Sequence, residues 1–528
     1  MKQRVKRVAI LVCVLIVGSI LTLVITFYQG KPQPSVDYVA LLNQPAVEAP
    51  DEEKAWAVYR DLWIKHGFSE GGKFDIMKFY LRDEFRGDVR LLRPGDGDQW
   101  QAATQELSGI EDLLEGFRMG GVRPYFGAPL KIDFADYAPK DFQAIHPRGT
   151  PDIGKTMQRD LLETMVATLL PHFQVMRHAA RLLEMDTRWA LEQGDLERAT
   201  RNIEAMLGIS VQAAEGKSLV CIFIGYALHH QALDTLAECL EAGNPFDEQQ
   251  LERIQVAIAK VPVQDLFTIA GEQAMFMDVL QKTHTDNGSG DGRITADGIR
   301  FMEDVSAYTV GDYDSKKTWS FQKQLRRTMA PVSMLVLPSR KQLAEKATEL
   351  YDRLEEFIRL HADRAEVVKL EQELKTLPGG YSLLQILFPA VLPVYDSTIR
   401  VQTHSNAMLA VVAVIRYQRQ HGHLPKTLDE LVGEFLTEVP LDPLNRLPLR
   451  YQIKGEGFVI YSVGVNQTDD GGQAVLVDVD GNGNVVTDQT EAESSELQRR
   501  PIPVQQYQLG RDYPGDWILW PRSGSKAE

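Results

Sequence analysis

The 528-residue sequence has only three cysteines, in none of the spacings that form zinc or haem sites. Cys13 lies in an apolar N-terminal run, whereas Cys221 and Cys239 lie in sequence with a helical pattern. If one helix carries the last two, its rise of 1.5 Å per residue separates them by roughly 27 Å, far too long for a disulfide. Both are therefore predicted to be small buried hydrophobic residues.

Signatures of catalysis are also missing. There is no HExxH zinc motif, and no GxSxG sequence between a strand and a helix. Residues 67–73 (GFSEGGK) match the first part of a phosphate-binding loop, but Phe74 replaces the Ser or Thr that would bind magnesium. His229 and His230 are neighbours on a predicted helix and point about 100° apart, which makes a shared metal ion unfavourable. The sequence therefore predicts no enzyme activity, no catalytic residues and no cofactor-binding residues.

Positive charge is in deficit, with a formal net charge of -16 at pH 7. This charge repels nucleic acid and anionic lipid head groups, so no nucleic-acid partner is predicted. Hydrophobic residues make up 44% and charged residues 25%, an ordinary globular composition. The length suffices for two to four domains with sizeable cores.

One long stretch lacks charge altogether. Residues 8–28 form an uncharged apolar run of 21 residues that follows four basic residues, Lys2, Arg4, Lys6 and Arg7. About 20 apolar residues span a bilayer, and a basic flank stays on the cytoplasmic side. A cleaved signal peptide would have a shorter apolar region and a small-residue cleavage site. We expect a single-pass anchor in the inner (cytoplasmic) membrane, with the N-terminus cytoplasmic and the bulk of the chain extracytoplasmic.

The fold class predicted for the whole chain is mainly α with a small α+β C-terminal module. The predicted parts are a basic tip and transmembrane anchor (1–30), a proline-containing linker (31–50), a helical-hairpin domain (51–378), a C-terminal module (379–490) and a tail (491–528). Within the helical domain, residues 177–213 read as two amphipathic helices joined at Gly194-Asp195, and residues 342–374 as one further helix. A solenoid-like stack and an ordinary helical bundle both fit this pattern.

The C-terminal module changes from helical to strand periodicity. A long apolar helix with a polar middle ends near Gly422, and two short strands follow over residues 449–453 and 457–462. A loop rich in glycine, aspartate and asparagine, residues 464–488, comes next. The expected order is helix, loop, small antiparallel sheet and acidic loop.

The sequence of this module resembles that of the globular domain of the major pseudopilin of type II secretion systems. The matching positions are Tyr417, Gly422, Leu424, Pro425, Thr427, Leu428, Leu431, Pro440, Asp442, Pro443, Tyr451, Ser462, Gly464, Asn466, Asp469 and Asp470. The resemblance implies a calcium loop with Ser462, Asn466, Asp469 and Asp470 as ligands, although Asn466 stands where the family has an aspartate. The glycine, phenylalanine and glutamate of a processed pilin start are absent from the N-terminus, which argues against a pilus subunit.

Together these features predict a non-catalytic, membrane-anchored cell-envelope protein that serves as a protein-interaction scaffold, associated with a secretion or pilus-like assembly. The expected partners are the membrane, through residues 8–28, and other envelope proteins. The whole chain also resembles uncharacterised planctomycete-type membrane-anchored envelope proteins, a resemblance that implies no activity. The alternative is a periplasmic enzyme whose acid and base residues are dispersed over the helical body.

Overall fold

A computed structural model describes residues 11–19, 21–22, 25, 29–66, 92–131, 137–145, 164–167, 170, 172–309, 337–360, 363–479, 498–501 and 515–522. Its helices are α1 Tyr38–Glu48, α2 Trp56–His66, α3 Asp98–Ser108, α4 Glu111–Gly121, α5 Pro139–Ile145, α6 His172–Glu192, α7 Leu196–Ala214, α8 Leu219–Glu241, α9 Glu248–Ala259, α10 Val263–Leu266, α11 Ala270–Thr283, α12 Ala296–Thr309, α13 Arg340–Arg359, α14 Arg364–Thr376, α15 Ser382–Leu387 and α16 Val391–His421. The strands are β1 Arg450–Lys454, β2 Gly457–Ser462, β3 Leu476–Val479, β4 Gln498–Pro501 and β5 Trp517–Trp520. The mainly α fold with a small antiparallel sheet is confirmed.

The predicted hairpin over residues 177–213 is present as α6 and α7. Gly194 adopts a left-handed backbone with φ +72°, a conformation that favours glycine and reverses the chain. The Asp195 side chain then caps α7 by accepting a hydrogen bond of 3.1 Å from the Arg198 amide. Ala190 and Ala199 are fully buried, and their small side chains let the two helices pack closely.

The linker predicted over residues 31–50 is wrong for its second half, because α1 occupies Tyr38–Glu48. The Asp37 side chain caps this helix by accepting from the Ala40 amide at 2.9 Å. Asn43 makes two hydrogen bonds with the backbone of Leu130, at 2.9 and 2.6 Å, and so fastens α1 to the body. The linker was predicted because prolines disfavour helices, but tertiary contacts stabilise a helix here that includes Pro45.

The single helix predicted over residues 342–374 is also wrong, because the chain forms α13 and α14 with a break after Arg359. Asp363 begins the second helix by accepting a hydrogen bond of 2.9 Å from the Ala365 amide. The predicted apolar face is nonetheless buried in α13, including Leu343, Leu350 and Leu354. Periodicity alone did not register the turn between the two helices.

Helix α16 joins the helical body to the C-terminal sheet. It contacts α8, α9, α10, α13 and α14 of the body, and also β2 and β5 of the sheet. It ends where predicted, at Gly422, whose φ of +76° permits the left-handed turn. One cluster of buried apolar residues runs from Ala55 to Trp520, so the boundary predicted at residue 379 does not separate two cores.

The C-terminal sheet has the strand order β1-β2-β5 and is antiparallel throughout. Its first two strands confirm the predicted hairpin, with Tyr451 paired to Ile460. The third strand, Trp517–Trp520, corrects the predicted tail, because it pairs with β2 and buries Trp517 completely. A separate two-stranded sheet pairs β3 with β4.

Nine of the 21 residues of the predicted membrane anchor, residues 8–28, lie outside the described residues. Residues 11–19 are helical and their side chains are exposed, Leu11 to 64% and Val14 to 63%. Across the described parts of the chain, one helical stretch, Gly379–His421, is long and apolar enough to cross a bilayer. Half of its most apolar 18-residue segment is buried inside the fold. Core helices commonly have such composition.

Candidate functional site

A polar seam runs between α8 and α16, inside the apolar core. We call this seam the histidine seam. Three side-chain pairs cross it: Tyr226 Oη with Thr398 Oγ1 at 3.3 Å, His229 Nε2 with Ser405 Oγ at 3.2 Å, and His230 Nδ1 with His404 Nδ1 at 2.9 Å. Buried polar groups need such partners, because an unmet hydrogen bond in a core is costly. The polar middle of the α16 sequence is thereby explained.

Burial sets the protonation of the seam. His229 and His404 are almost completely shielded from solvent, whereas His230 is partly exposed. Desolvation lowers the pKa of His229 to about 4 and that of His404 to about 3. The pKa of His230 is lowered in the same direction, by burial first and by the neighbouring His404, His229 and Arg400 second. At neutral pH these rings are uncharged and present lone pairs.

The edge of the seam is charged and includes the C-terminal end of the described chain. His404 Nε2 lies 3.9 Å from Asp234 Oδ1. Arg522, just beyond β5, donates a hydrogen bond of 2.6 Å to the Asp234 carbonyl oxygen and approaches its carboxylate at 3.5 Å. The segment that the sequence assigned to a tail therefore holds the carboxylate that faces His404.

His229 and Ser405 have the residue types of a base and a nucleophile, but not the complete arrangement. Ser405 is only 4% exposed, so a substrate has no open approach to its hydroxyl in this structure. The Nδ1 atom of His229 is buried without a hydrogen-bond partner among the described residues, so no carboxylate orients the ring. In the same parts of the chain, no three His, Cys, Asp or Glu side chains converge to hold a metal ion.

The predicted calcium ligands are only partly brought together. Ser462 is fully buried and hydrogen-bonds the carboxylate of Asp442, which also accepts from the Val463 amide at 3.0 Å. Asp442 was part of the matching sequence but was not expected in the site. Its role here is to bind the start of the loop to the preceding turn.

Asp469 and Asp470 point to different partners. Asp469 accepts from the Tyr461 hydroxyl at 3.0 Å and pairs with Arg450 at 3.0 Å. Asp470 accepts from Asn466 Nδ2 at 3.0 Å and from the Gly515 amide at 3.1 Å. Asn466 and Asp470 therefore contact each other, whereas calcium would have to compete with Tyr461 and Arg450 for the carboxylate of Asp469. Calcium binding stays a prediction.

A second feature is an open apolar groove of about 550 Å³ between α7, α9 and the end of α4. We call it the α7/α9 groove. Its apolar lining includes Leu207, Val211 and Ala257, and two exposed valines, Val122 and Val256, lie at its surface. The charged residues around it have both signs: Glu204, Glu252, Arg123, Arg253 and Lys260. Residues far apart in the sequence form this groove, which is why no sequence motif indicated it.

The remaining sequence predictions divide into two groups. Cys221 and Cys239 are both buried on α8, as predicted. The phosphate-loop-like residues 67–73 lie outside the described residues.

No family model, no curated protein and no solved structure matches this chain.

Proposed function

We propose that the chain is a membrane-anchored, extracytoplasmic interaction protein that docks a segment of another envelope protein in the α7/α9 groove. The observation that carries this proposal is the groove itself, with Val122 63% and Val256 45% exposed beside an apolar lining. Exposed apolar surface rimmed by charge is typical of protein-binding sites. A site of this kind needs no catalytic group.

The anchor is the second part of the proposal. Support comes from the basic residues followed by 21 uncharged ones in the sequence, and from the exposed helix over residues 11–19. An isolated apolar helix with exposed side chains is stable in a bilayer and unfavourable in water. The groove would then face the extracytoplasmic side with the rest of the body.

The occupant that fits the groove is an amphipathic helix. Helix α9, which forms one wall, has 12 residues, and at 1.5 Å per residue such a wall is about 18 Å long. Three turns of a partner helix could place apolar side chains against Leu207 and Val211. Because the rim carries both Glu252 and Lys260, the flanks of the partner helix should carry charges of both signs.

Site-specific photocrosslinking tests the proposal in membranes. A photoreactive amino acid at Val256 should give one discrete adduct with a protein of the envelope. The matched control is Val220 on α8, which is similarly exposed, at 53%, but does not line the groove. The same adducts from both positions would contradict docking in the groove. The anchor is tested separately: release of the full chain from membranes by alkaline carbonate would contradict it.

An enzyme is the second candidate, and the contact between His229 and Ser405 favours it. A base within hydrogen-bond reach of a hydroxyl is the starting arrangement for acyl transfer. A fluorophosphonate probe would then label the wild-type chain and fail to label Ser405→Ala. Because Ser405 is buried and His229 Nδ1 has no partner among the residues that the structure describes, we expect no labelling of either protein.

A further inference from the structure

His230 and His404 meet head-on rather than face to face. Their Nδ1 atoms are 2.9 Å apart, and their ring centroids are 5.1 Å apart with planes inclined by 22°. This centroid separation is close to the largest that the Nδ1 to Nδ1 distance allows, because a centroid lies only about one ring radius behind its nitrogen. The two rings therefore lie edge to edge, and the axes of their Nδ1 atoms point at each other.

Asp234 lies beside His404. Its carboxylate approaches Nε2 of His404 at 3.9 Å, too far for a hydrogen bond, and Arg522 approaches that carboxylate at 3.5 Å. The negative charge next to Nε2 favours a proton on that nitrogen, and Nδ1 of His404 then accepts the hydrogen bond from Nδ1 of His230. A carboxylate near the outer nitrogen of an imidazole is also the usual support of a metal-binding histidine.

We propose that His230 and His404 bind one monovalent copper ion, Cu(I), as two opposed ligands through their Nδ1 atoms. A linear ion accepts two nitrogens that face each other, whereas zinc requires four ligands in a tetrahedron. Two ring nitrogens that face each other are the donors that the seam offers at this point. No residue of this pair lines the α7/α9 groove, so the inference is independent of the proposed function.

The geometry requires a small adjustment and a tautomer change. Metal to imidazole bonds of about 2.0 Å would move the two nitrogens roughly 1 Å further apart than they are now. His230 is partly exposed, so its ring can swing outward and also gives the ion a route from solvent. As copper binds, His230 moves its ring proton from Nδ1 to Nε2, and both rings remain neutral.

A copper titration of the full-length protein in detergent tests this proposal. Reduced protein competes for Cu(I) with the chromophoric chelator bathocuproine disulfonate. The wild type should bind one more equivalent than His404→Gln or His230→Gln, and His421→Gln, an exposed histidine at the end of α16, should match the wild type. X-ray absorption of the additional copper should show two nitrogen ligands.

Asp234→Asn keeps both ligands and removes only the support behind His404. It should bind the additional copper about 10-fold more weakly, because the site loses the negative charge next to His404. Copper uptake by His404→Gln equal to that of the wild type would overturn the proposal and leave the pair as two rings that share a proton. Should His404→Gln fail to fold, an Asp234→Asn affinity equal to the wild-type value would overturn it instead. Comparison within this series removes the contribution of the three cysteine thiols, which also bind Cu(I).

Discussion

Arg118 on α4 donates a hydrogen bond of 2.6 Å to the carboxylate of Asp186 on α6, and neither side chain is open to solvent. Asn202 on α7 donates to the same carboxylate oxygen at 2.8 Å. One buried carboxylate therefore links three helices of the body. Arg118 also pairs with Glu111 at 2.7 Å and with Glu115 at 3.0 Å, so removal of Asp186 breaks two buried hydrogen bonds without leaving Arg118 unpaired. Buried hydrogen bonds to a charged group are strong, so this link makes the hairpin sensitive to substitution.

Asp186→Ala should lower the free energy of unfolding by about 2–3 kcal/mol, because Arg118 and Asn202 each lose a buried hydrogen bond to a carboxylate. Asp297→Ala is the control, since Asp297 and Arg300 form an exposed pair whose loss should cost less than about 1 kcal/mol. Urea denaturation followed by circular dichroism measures both. Equal effects of the two substitutions would show that the link between the three helices adds nothing to the free energy of unfolding.

Trp517→Ala should lower the free energy of unfolding by about 3–5 kcal/mol, because Trp517 is completely buried in the third strand of the sheet. If residues 491–528 were only a tail, as the sequence predicted, the substitution would be nearly neutral. Thermal unfolding of the wild type and the variant distinguishes these outcomes.

Gly208→Ala should lower the free energy of unfolding by about 1–3 kcal/mol. An added Cβ atom at Gly208 would collide with the backbone carbonyl of Gly121, which cannot move as a flexible side chain can. At Gly379 the same change meets open space, so Gly379→Ala serves as the matched control. If both variants unfold at the same denaturant concentration, close packing of α4 against α7 does not exclude a side chain at Gly208.

Acid should weaken the fold through the histidine seam. Burial lowers the pKa of His229 to about 4 from an ordinary value of 6.5, so the unfolded chain takes up its proton first. The contribution of His229 to stability is complete above pH 6.5, declines by about 1.4 kcal/mol per pH unit below it, and levels off near pH 4. Unfolding free energies at pH 7, 5.5 and 4.5 measure this decline.

His229→Leu should reduce this pH dependence, whereas the exposed His421→Leu should not. An unchanged slope in His229→Leu would mean that other groups cause the acid sensitivity.

Calcium should raise the melting temperature of the full chain only at concentrations of about 1 mM, because Asp469 must first give up Tyr461 and Arg450. Asp470→Ala should abolish the shift. Asp286→Ala changes an acidic loop elsewhere, where the carboxylate accepts from the Gly288 amide at 2.8 Å, and should keep it. No shift in the wild type at that concentration would end the calcium prediction.

Local patterns were predicted correctly where local forces decide the structure. The hairpin at Gly194-Asp195 follows from a glycine turn, a capping aspartate and amphipathic periodicity, all of which are visible in the sequence. Strands β1 and β2 follow from a run of β-prone residues that includes Phe458, Ile460 and Tyr461. Helix α1 could not be predicted in this way, because its stability comes from contacts such as those of Asn43 with Leu130.

The candidate sites depend on contacts between distant parts of the chain. His230 and His404 are 174 residues apart. His230 was considered only together with its neighbour His229, and no role was predicted for His404. The polar middle of α16 was the available signal, but it did not specify which helix would pack against it. The α7/α9 groove likewise combines residues near 122, 208 and 256, and no spacing rule connects them.

Docking in the α7/α9 groove is tested most directly by a charge placed in it. A photoreactive residue at Gln249, on the edge of the groove, reports occupancy as the yield of its adduct in membranes. Val256→Glu should lower that yield more than tenfold, because it places an unpaired carboxylate against the apolar face of the partner. Val220→Glu, outside the groove, should leave the yield unchanged. Equal yields in the two backgrounds would contradict the proposed function.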